Sequence, residues 1–169
     1  MKKIMYLTAT IILVLFISLI IINQTVMRNL ETEITINASP EVVWDILLDH
    51  NAYPDWNPFI TQISGPTEPG ENLLVNITPP ESKSMEFKPL VVKNDKEKEF
   101  RWVGKLLVKG IFDGEHYFLL EPVGTNETRF TQGENFTGIL SGLFMKMIGK
   151  NTLVGFKSMN EALKKQAEN

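Results

Sequence analysis

Two side chains that could exchange protons, His116 and Glu134, fall on neighbouring strands predicted in the second half of the sequence. A strand's side chains alternate between faces, so His116 shares a face with Phe118, and Glu134 shares one with Gln132. If the intervening connection turns about Thr125, the hairpin sets His116 opposite Glu134. Such a pair could act as an acid and a base or orient a ligand. The alternative is a cross-strand pair that only stabilises the sheet.

The predicted surroundings of this pair are aromatic. On the strand over residues 98–106, Trp102 shares a face with Phe100, Gly104 and Leu106. A few convergent polar groups in an apolar pocket are typical of a small-molecule site. The candidate ligand-binding residues are Trp56, Phe87, Trp102, His116, Phe118, Phe130, Gln132, Glu134, Phe136, Phe144, Ile148 and Asn151, and the candidates for catalysis are His116 and Glu134.

Composition excludes several other chemistries. The chain of 169 residues has no cysteine and two histidines, which excludes disulfides and thiolate chemistry and leaves little material for a metal centre. Residues 23–169 carry 15 Lys and Arg against 20 Asp and Glu, a net charge of −5, which argues against a nucleic-acid surface. No phosphate-binding or dinucleotide-binding glycine motif occurs. We therefore expect no metal and no cofactor.

The elements that must position these residues follow from periodicity. An alternating strand over 31–37 precedes a helix capped by Ser39 with Pro40 in its first turn, ending near Asp49. Residues 59–137 read as short strands separated by turns, and the last 30 residues as one long amphipathic helix. A curved antiparallel sheet gripping that helix is the economical arrangement. Gly155 and Ala162 on the helix's inner face suggest space left between sheet and helix.

The amino terminus carries a separate prediction. Ile4 to Ile22 is a run of 19 residues without a charge, about the length needed to cross a bilayer. Lys2 and Lys3 precede the run, which favours a cytoplasmic amino terminus and a domain on the extracytoplasmic side. A cleaved signal peptide is the alternative, although no small-residue cleavage site follows. The predicted organisation is an anchor over 1–22, a linker over 23–30 and one domain over 31–169.

Six short stretches, in order, resemble the START-related SRPBCC superfamily, which includes polyketide cyclase/dehydrase-like proteins. They are residues 36–44, 53–59, 100–104, 114–118, 128–138 and 155–160. The resemblance implies a helix-grip fold, in which a seven-stranded antiparallel sheet surrounds a long helix and encloses an apolar cavity. It also implies binding of lipids, sterols, polyketides or similar molecules, with cyclase activity in some members.

Three functions are therefore in view. The first is a membrane-anchored protein that binds a hydrophobic or amphipathic small molecule between the sheet and the carboxy-terminal helix. The second is a cyclase or dehydratase that uses His116 and Glu134 on a ligand in the same cavity. The third is an interaction module for another protein at the membrane. The expected partners are a hydrophobic small molecule or lipid and, through residues 4–22, a membrane. The sequence leaves the ligand, the oligomeric state and the biological process open.

Overall fold

The amino-terminal segment forms a helix, none of whose described side chains belongs to the core of the domain. The computed structural model describes residues 2–25, 27–106 and 108–169, without the side chains of Lys2, Met5 and residues 19–25. Helix α1 is Lys2–Thr25. Among the side chains described, no helix is both long enough and apolar enough to cross a membrane. The membrane span predicted over Ile4 to Ile22 is therefore not supported. The side chains of Met5 and of residues 19–22, which belong to the predicted span, are not among those described.

Strand β1 follows almost at once, so the predicted linker over 23–30 is largely taken up by secondary structure. The elements of the domain are β1 (Arg28–Ile36), α2 (Pro40–Leu48), a single 3₁₀ turn (His50–Ala52), α3 (Tyr53–Trp56), β2 (Ile60–Ser64), β3 (Leu74–Ile77), β4 (Met85–Phe87), β5 (Leu90–Asp95), β6 (Glu99–Leu106), β7 (Phe112–Gly124), β8 (Glu127–Thr137) and α4 (Ser141–Ala167).

The start of α2 confirms its predicted cap. Ser39 is the N-cap residue, and its hydroxyl accepts a hydrogen bond from the backbone N–H of Val42. Pro40 occupies the first turn, where its missing N–H costs no helical hydrogen bond. The apolar face of α2 buries Val43, Trp44 and Leu47.

The strands form two antiparallel sheets rather than the single seven-stranded sheet expected. The larger sheet has the order β1-β8-β7-β6-β5, and the smaller has the order β2-β3-β4. The chain between β4 and β5 contains Pro89, which has no N–H to donate to a ladder. The stretch that would be one strand is thereby divided into two, and each part joins a different sheet. The Leu73 N–H still donates to the Pro89 carbonyl at 2.9 Å, which holds the sheets side by side.

Helix α4 packs across the inner face of the larger sheet, as predicted. Phe156, Met159 and Leu163 are fully buried against Phe118 and Phe130 of the sheet. The predicted space beside Gly155 does not exist, because a β-carbon there would collide with the ring of Phe59. Position 155 therefore requires glycine, because the ring of Phe59 occupies the space that a side chain would need.

Candidate functional site

An apolar cavity lies between the smaller sheet and the open end of the larger one. It has a volume of about 80 Å³. Its lining is apolar except for two side chains, those of His116 and Glu134. The lining residues are Phe59, Ile60, Val75, Ile77, Phe87 and Pro89 on one side and Trp102, Gly104, Leu106, Phe112, Gly114, His116 and Glu134 on the other.

The cavity is therefore not where the sequence predicted it. None of its lining residues comes from α4, although the prediction placed the ligand between the sheet and that helix. The physical reason is that Phe59 and Phe156 pack edge to face, with ring centroids 5.4 Å apart, and fill the layer beneath the helix. The unfilled space lies further along the strands, where Gly104 and Gly114 are cross-strand partners without side chains.

The register of three strands brings the polar residues into one row. His116 of β7 is paired with Trp102 of β6 on one side and with Glu134 of β8 on the other. The pairing of Phe118 with Gln132 also follows the predicted hairpin register, which is confirmed. The chain reverses through the two residues Thr125 and Asn126.

The imidazole of His116 is buried and held on three sides. Its Nδ1 lies 3.6 Å from the Glu134 Oε2, and its Nε2 lies 3.2 Å from the Gln132 Nε2. Its ring stacks on Trp102 with a centroid distance of 4.8 Å and an interplanar angle of 9°. An amide nitrogen can only donate, so in this orientation of Gln132 the imidazole Nε2 accepts, and Nδ1 faces the carboxylate. The row thus ends in a carboxylate that a ligand hydroxyl can reach.

Glu134 is the more accessible member of the pair. Its side chain is 21% exposed against 6% for His116. Gly114 provides the room for it, because a β-carbon at 114 would collide with the Glu134 carboxylate. At 3.6 Å the carboxylate does not form a good hydrogen bond with the ring. A polar group of a ligand could therefore lie against both without breaking a strong internal bond.

Gln132 orients His116 rather than lining the cavity. The amide is fully buried, and its nitrogen also lies 3.3 Å from the Met159 sulfur of α4. Its oxygen has no hydrogen-bond partner among the described residues. An unpaired buried oxygen costs free energy that an apolar side chain would avoid. Gln132 thus lowers the stability of the domain at this position, beside the buried imidazole of the cavity.

Six of the predicted aromatic residues separate into three pairs. Phe87 and Trp102 line the cavity, whereas Phe118 and Phe130 belong to the core and stack on each other with centroids 5.8 Å apart. Phe136 and Phe144 lie behind the cavity wall, because both stack on a lining residue that the prediction omitted, Phe112.

The remaining predicted residues lie around the cavity without lining it. Trp56 packs on Tyr53 with centroids 5.0 Å apart. Ile148 is half-buried on α4, and the Asn151 amide donates to the Pro80 carbonyl at 3.1 Å, which ties α4 to the chain before β4. Their predicted contact with a ligand stays a prediction.

Sequence reasoning missed most of the smaller sheet's contribution. Val75 and Phe87 lie opposite each other in the β3–β4 ladder and both face the cavity, together with Ile77. The alternation of Val75 and Ile77 along β3 was the available signal. Their contact with β6 depends on how two separate sheets pack, which no periodicity within one strand encodes.

Comparison with known proteins connects this geometry to a family. A family model described as polyketide cyclase/dehydrase and lipid transport matches residues 27–168. A search of curated protein sequences gives no match.

In the described residues, no three His, Asp or Glu side chains are grouped so that they could hold a metal ion.

Solved structures share the fold at low sequence identity. The Zhui aromatase/cyclase from Streptomyces sp. R1128 is 15% identical with a TM-score of 0.64, covering 85% of this chain and 94% of that one. Norcoclaurine synthase from Thalictrum flavum, in complex with dopamine and hydroxybenzaldehyde, is 18% identical with a TM-score of 0.64, covering 86% and 90%. A START superfamily protein from Mycobacterium smegmatis is 18% identical with a TM-score of 0.64, covering 83% and 97%. The fold is thus α+β and helix-grip-like.

Proposed function

The chain belongs to the polyketide cyclase/dehydrase and lipid transport family, and we propose that it binds an apolar or amphipathic small molecule in the cavity between its two sheets. The observation that carries this proposal is the row of Trp102, His116 and Glu134. It presents a flat aromatic ring, a buried imidazole and a reachable carboxylate to an otherwise apolar space. Such a site binds through apolar contact and selects through a few polar groups.

The size of the cavity limits what enters without rearrangement. Pockets for drug-sized ligands are about 300 to 1,000 Å³, whereas this cavity has about 80 Å³. A single aromatic ring is thus the natural size of ligand for the closed form. Norcoclaurine synthase, which shares the fold, was solved with two small aromatic molecules, dopamine and hydroxybenzaldehyde. A ligand of that class with one hydroxyl could reach Glu134 while its ring packs beside Trp102.

A larger ligand would have to displace one wall. The weakest part is β4, an edge strand of three residues in which Met85 and Glu86 are exposed and Phe87 is half-buried. Few buried apolar contacts hold such a segment, so it opens at little cost in free energy. We propose that Phe87 moves when a longer apolar ligand, such as a lipid chain, enters.

The test is native mass spectrometry of the full chain, purified gently and compared with two variants. Gly104→Leu fills the cavity, since a β-carbon there has only ordinary contacts, the nearest being the Pro89 Cβ at 3.9 Å. Val103→Leu, one position away, changes the opposite face of β6 and is the matched control. We expect a discrete adduct in the wild type and in V103L and none in G104L. An equal adduct in all three proteins would reject the cavity as the site.

An enzymatic function is the second candidate, because the pair of His116 and Glu134 faces the ligand. In this function the Glu134 carboxylate accepts a proton from the ligand, whose electron pair stays on the ligand atom, and returns that proton in a later step, while His116 beside it keeps the carboxylate in place. Glu134→Gln would then abolish conversion of the extracted compound while the compound still binds. Equal binding and equal recovery of unchanged compound in both proteins would leave only the binding function.

Localisation rests on the sequence, and we propose that residues 1–22 hold the domain at a membrane, on the extracytoplasmic side. The uncharged run from Ile4 to Ile22 and the two preceding lysines support this. The described side chains from Tyr6 to Ser18 are all exposed, so the domain does not cover them. Protease protection of the domain in right-side-out and inverted vesicles tests the topology. Recovery of the full chain in the soluble fraction after cell lysis would reject it.

A further inference from the structure

One end of the domain exposes apolar and basic side chains together, and we propose that this end docks on the surface of a bilayer that contains anionic phospholipid. We define the docking patch as Met27, Val108, Lys109, Leu140, Leu143, Lys146, Met147 and Lys150. The proposal concerns a surface outside the cavity and does not depend on the identity of the ligand.

The patch is assembled from three segments joined by hydrogen bonds. The Arg28 guanidinium donates to the Ser141 hydroxyl at 2.5 Å, which ties the start of β1 to the start of α4. The Leu140 N–H donates to the Ile111 carbonyl at 2.9 Å, which ties the loop between β6 and β7 to the same point. These contacts keep Met27, Val108 and Leu140 on one end of the molecule.

The apolar members of the patch are unusually exposed for a folded domain. The exposed fractions are 60% for Val108, 57% for Leu143 and 68% for Met147. Leu143 and Met147 are one helical turn apart and therefore lie on the same side of α4. Adjacent exposed apolar groups of this kind mark a surface that another phase or partner covers.

The charge of the patch selects the partner. Lys146 and Lys150 interleave with the apolar side chains on α4, and Lys109 lies beside Val108. Residues 135–160 contain no Asp or Glu, although the chain as a whole is acidic with a net charge of −3. The nearest acidic side chain of the loop, Asp113, accepts a hydrogen bond from the Gly110 N–H at 2.8 Å.

Apolar side chains interleaved with lysines are the signature of a surface that lies in the headgroup region of an anionic bilayer. A protein partner for the same patch would need an acidic rim around an apolar centre. The patch itself has lysines and no Asp or Glu, so two copies meeting through it would place like charges together. We therefore assign the patch to anionic lipid, and self-association becomes an outcome of the test.

The docking patch lies close to the proposed ligand cavity, and this one point rests on the proposed function. Phe144 follows Leu143 on α4 and stacks on Phe112 with centroids 4.6 Å apart. Phe112 lines the cavity. A docked domain would thus place this aromatic pair between the lipid phase and the cavity, which suits a ligand that partitions into membranes.

The absence of cysteine from the chain makes a labelling experiment clean. Three single-cysteine variants of the full chain, V108C, M147C and V123C, carry an environment-sensitive fluorophore and are added to vesicles. Val123 is the matched control, since it is also an exposed valine (42%) but lies at the far end of β7. One set of vesicles is phosphatidylcholine alone, and the other contains about one third phosphatidylglycerol. Brominated lipid in a parallel set reports direct contact with acyl chains.

We expect the labels at 108 and 147 to shift to the blue and to be quenched by brominated lipid, more strongly with phosphatidylglycerol, while the label at 123 stays in water. Because the proposed anchor over residues 1–22 would hold the full chain on any vesicle, docking is measured by the quenching of the label at 147. Replacing Lys109, Lys146 and Lys150 by glutamate should lower the docked-to-undocked ratio obtained from this quenching at least tenfold on the anionic vesicles. K96E/K98E, which changes the exposed turn between β5 and β6, should leave it unchanged.

Three results would overturn the proposal. The labels at 108 and 147 would stay unquenched on anionic vesicles, or all three labels would be quenched alike, or the label at 147 would be quenched as strongly in the triple lysine variant as in the wild type. A blue shift at 147 that needs no vesicles and grows with protein concentration would assign the patch to self-association instead.

Discussion

The polar side chains on the two faces of strands β6, β7 and β8 differ in how completely they are hydrogen-bonded. On the outer face, Tyr117 donates to Glu31 at 2.6 Å and accepts a hydrogen bond from Asn29 at 2.8 Å. Arg101 binds Glu99 and Glu115 and lies over the Tyr117 ring. Each of these donors meets an acceptor, and the Arg101 cation meets two carboxylates.

On the inner face the polar groups are only partly satisfied. His116 lies 3.6 Å from Glu134, and the Gln132 oxygen has no partner among the described residues. Both faces belong to the same strands and have the same backbone geometry, so the difference comes from the side chains. The outer network stabilises the sheet by itself, whereas the inner row keeps hydrogen-bonding capacity that a ligand could use. Groups of this kind are typical of functional sites, where stability is lower than it could be.

The first and largest test separates the core from the cavity on the inner face. Phe118→Ala should lower the free energy of unfolding by about 3 to 5 kcal/mol, because the ring is fully buried among other aromatic rings. Phe87→Ala should cost about 1 kcal/mol or less, since Phe87 is half-buried on the edge strand β4. Urea unfolding measures both. Equal losses would mean that the cavity wall is part of the core.

The second test removes the inner polar row while keeping its shape. In the double variant H116F/Q132L both hydrogen-bonded partners are replaced by apolar groups, so the free energy of unfolding should stay within about 1 kcal/mol of the wild type or rise. Ligand affinity should fall about tenfold or more, because the polar selection is lost. A strong loss of stability with unchanged affinity would identify the row as structural.

The third test applies the same logic to the outer face. Arg101→Met removes the cation between Glu99 and Glu115 and should lower the free energy of unfolding by about 1 kcal/mol without affecting ligand binding. Lys98→Met, in the exposed pair with Asp95 at 3.9 Å, should change it by less than about 0.5 kcal/mol. A change of affinity in R101M would show that the two faces are coupled.

The smallest effect is a pH dependence at His50, which packs beside Phe100 on the inner face of β6 but outside the cavity lining. Burial lowers the pKa of His50 below its usual 6.5, and this outweighs the opposing effect of Asp49. The unfolded chain therefore binds the proton first, and stability falls as the pH drops through and below 6.5.

The slope from one proton is at most about 1.4 kcal/mol per pH unit. We expect His50→Phe to flatten the loss of stability between about pH 7 and pH 5.5, measured by urea unfolding. Carboxylates titrate below this window. The pKa of Glu99 is lowered from its usual value, because burial raises it less than the hydrogen bonds from Lys93 and Arg101 and their positive charges together lower it. Identical slopes in both proteins would show that His50 does not carry the effect.

Local patterns predicted much of the fold because they report on single elements. The cap at Ser39, the facing of Trp102 and the pairing of His116 with Glu134 all follow from periods within one helix or one hairpin. The resemblance of six short stretches supplied the helix-grip fold, which the antiparallel sheet, the long carboxy-terminal helix and the solved neighbours confirm, although the strands form two sheets and not one of seven strands.

The errors came from contacts between distant elements. Gly155 suggested free space, but Phe59, far away in sequence, occupies it. Pro89 separates β4 from β5, which belong to different sheets, and the cavity lies where those sheets meet. Which aromatic residues line a cavity and which form the core depends on this packing, so Phe118 and Phe130 could not be distinguished from Trp102 by their spacing.

The most direct measurement uses the three tryptophans as reporters of where a ligand binds. Trp102 lines the cavity, Trp44 lies in the core and Trp56 packs on Tyr53. An amide and indole ¹H–¹⁵N spectrum of the full chain gives a separate indole signal for each of them. The probe is p-cresol, a single aromatic ring with one hydroxyl that suits the cavity volume. We expect the Trp102 indole signal alone to shift on titration, and not to shift in G104L. Equal shifts at all three indoles, or a Trp102 signal that stays fixed at saturating probe, would contradict a ligand site between the two sheets.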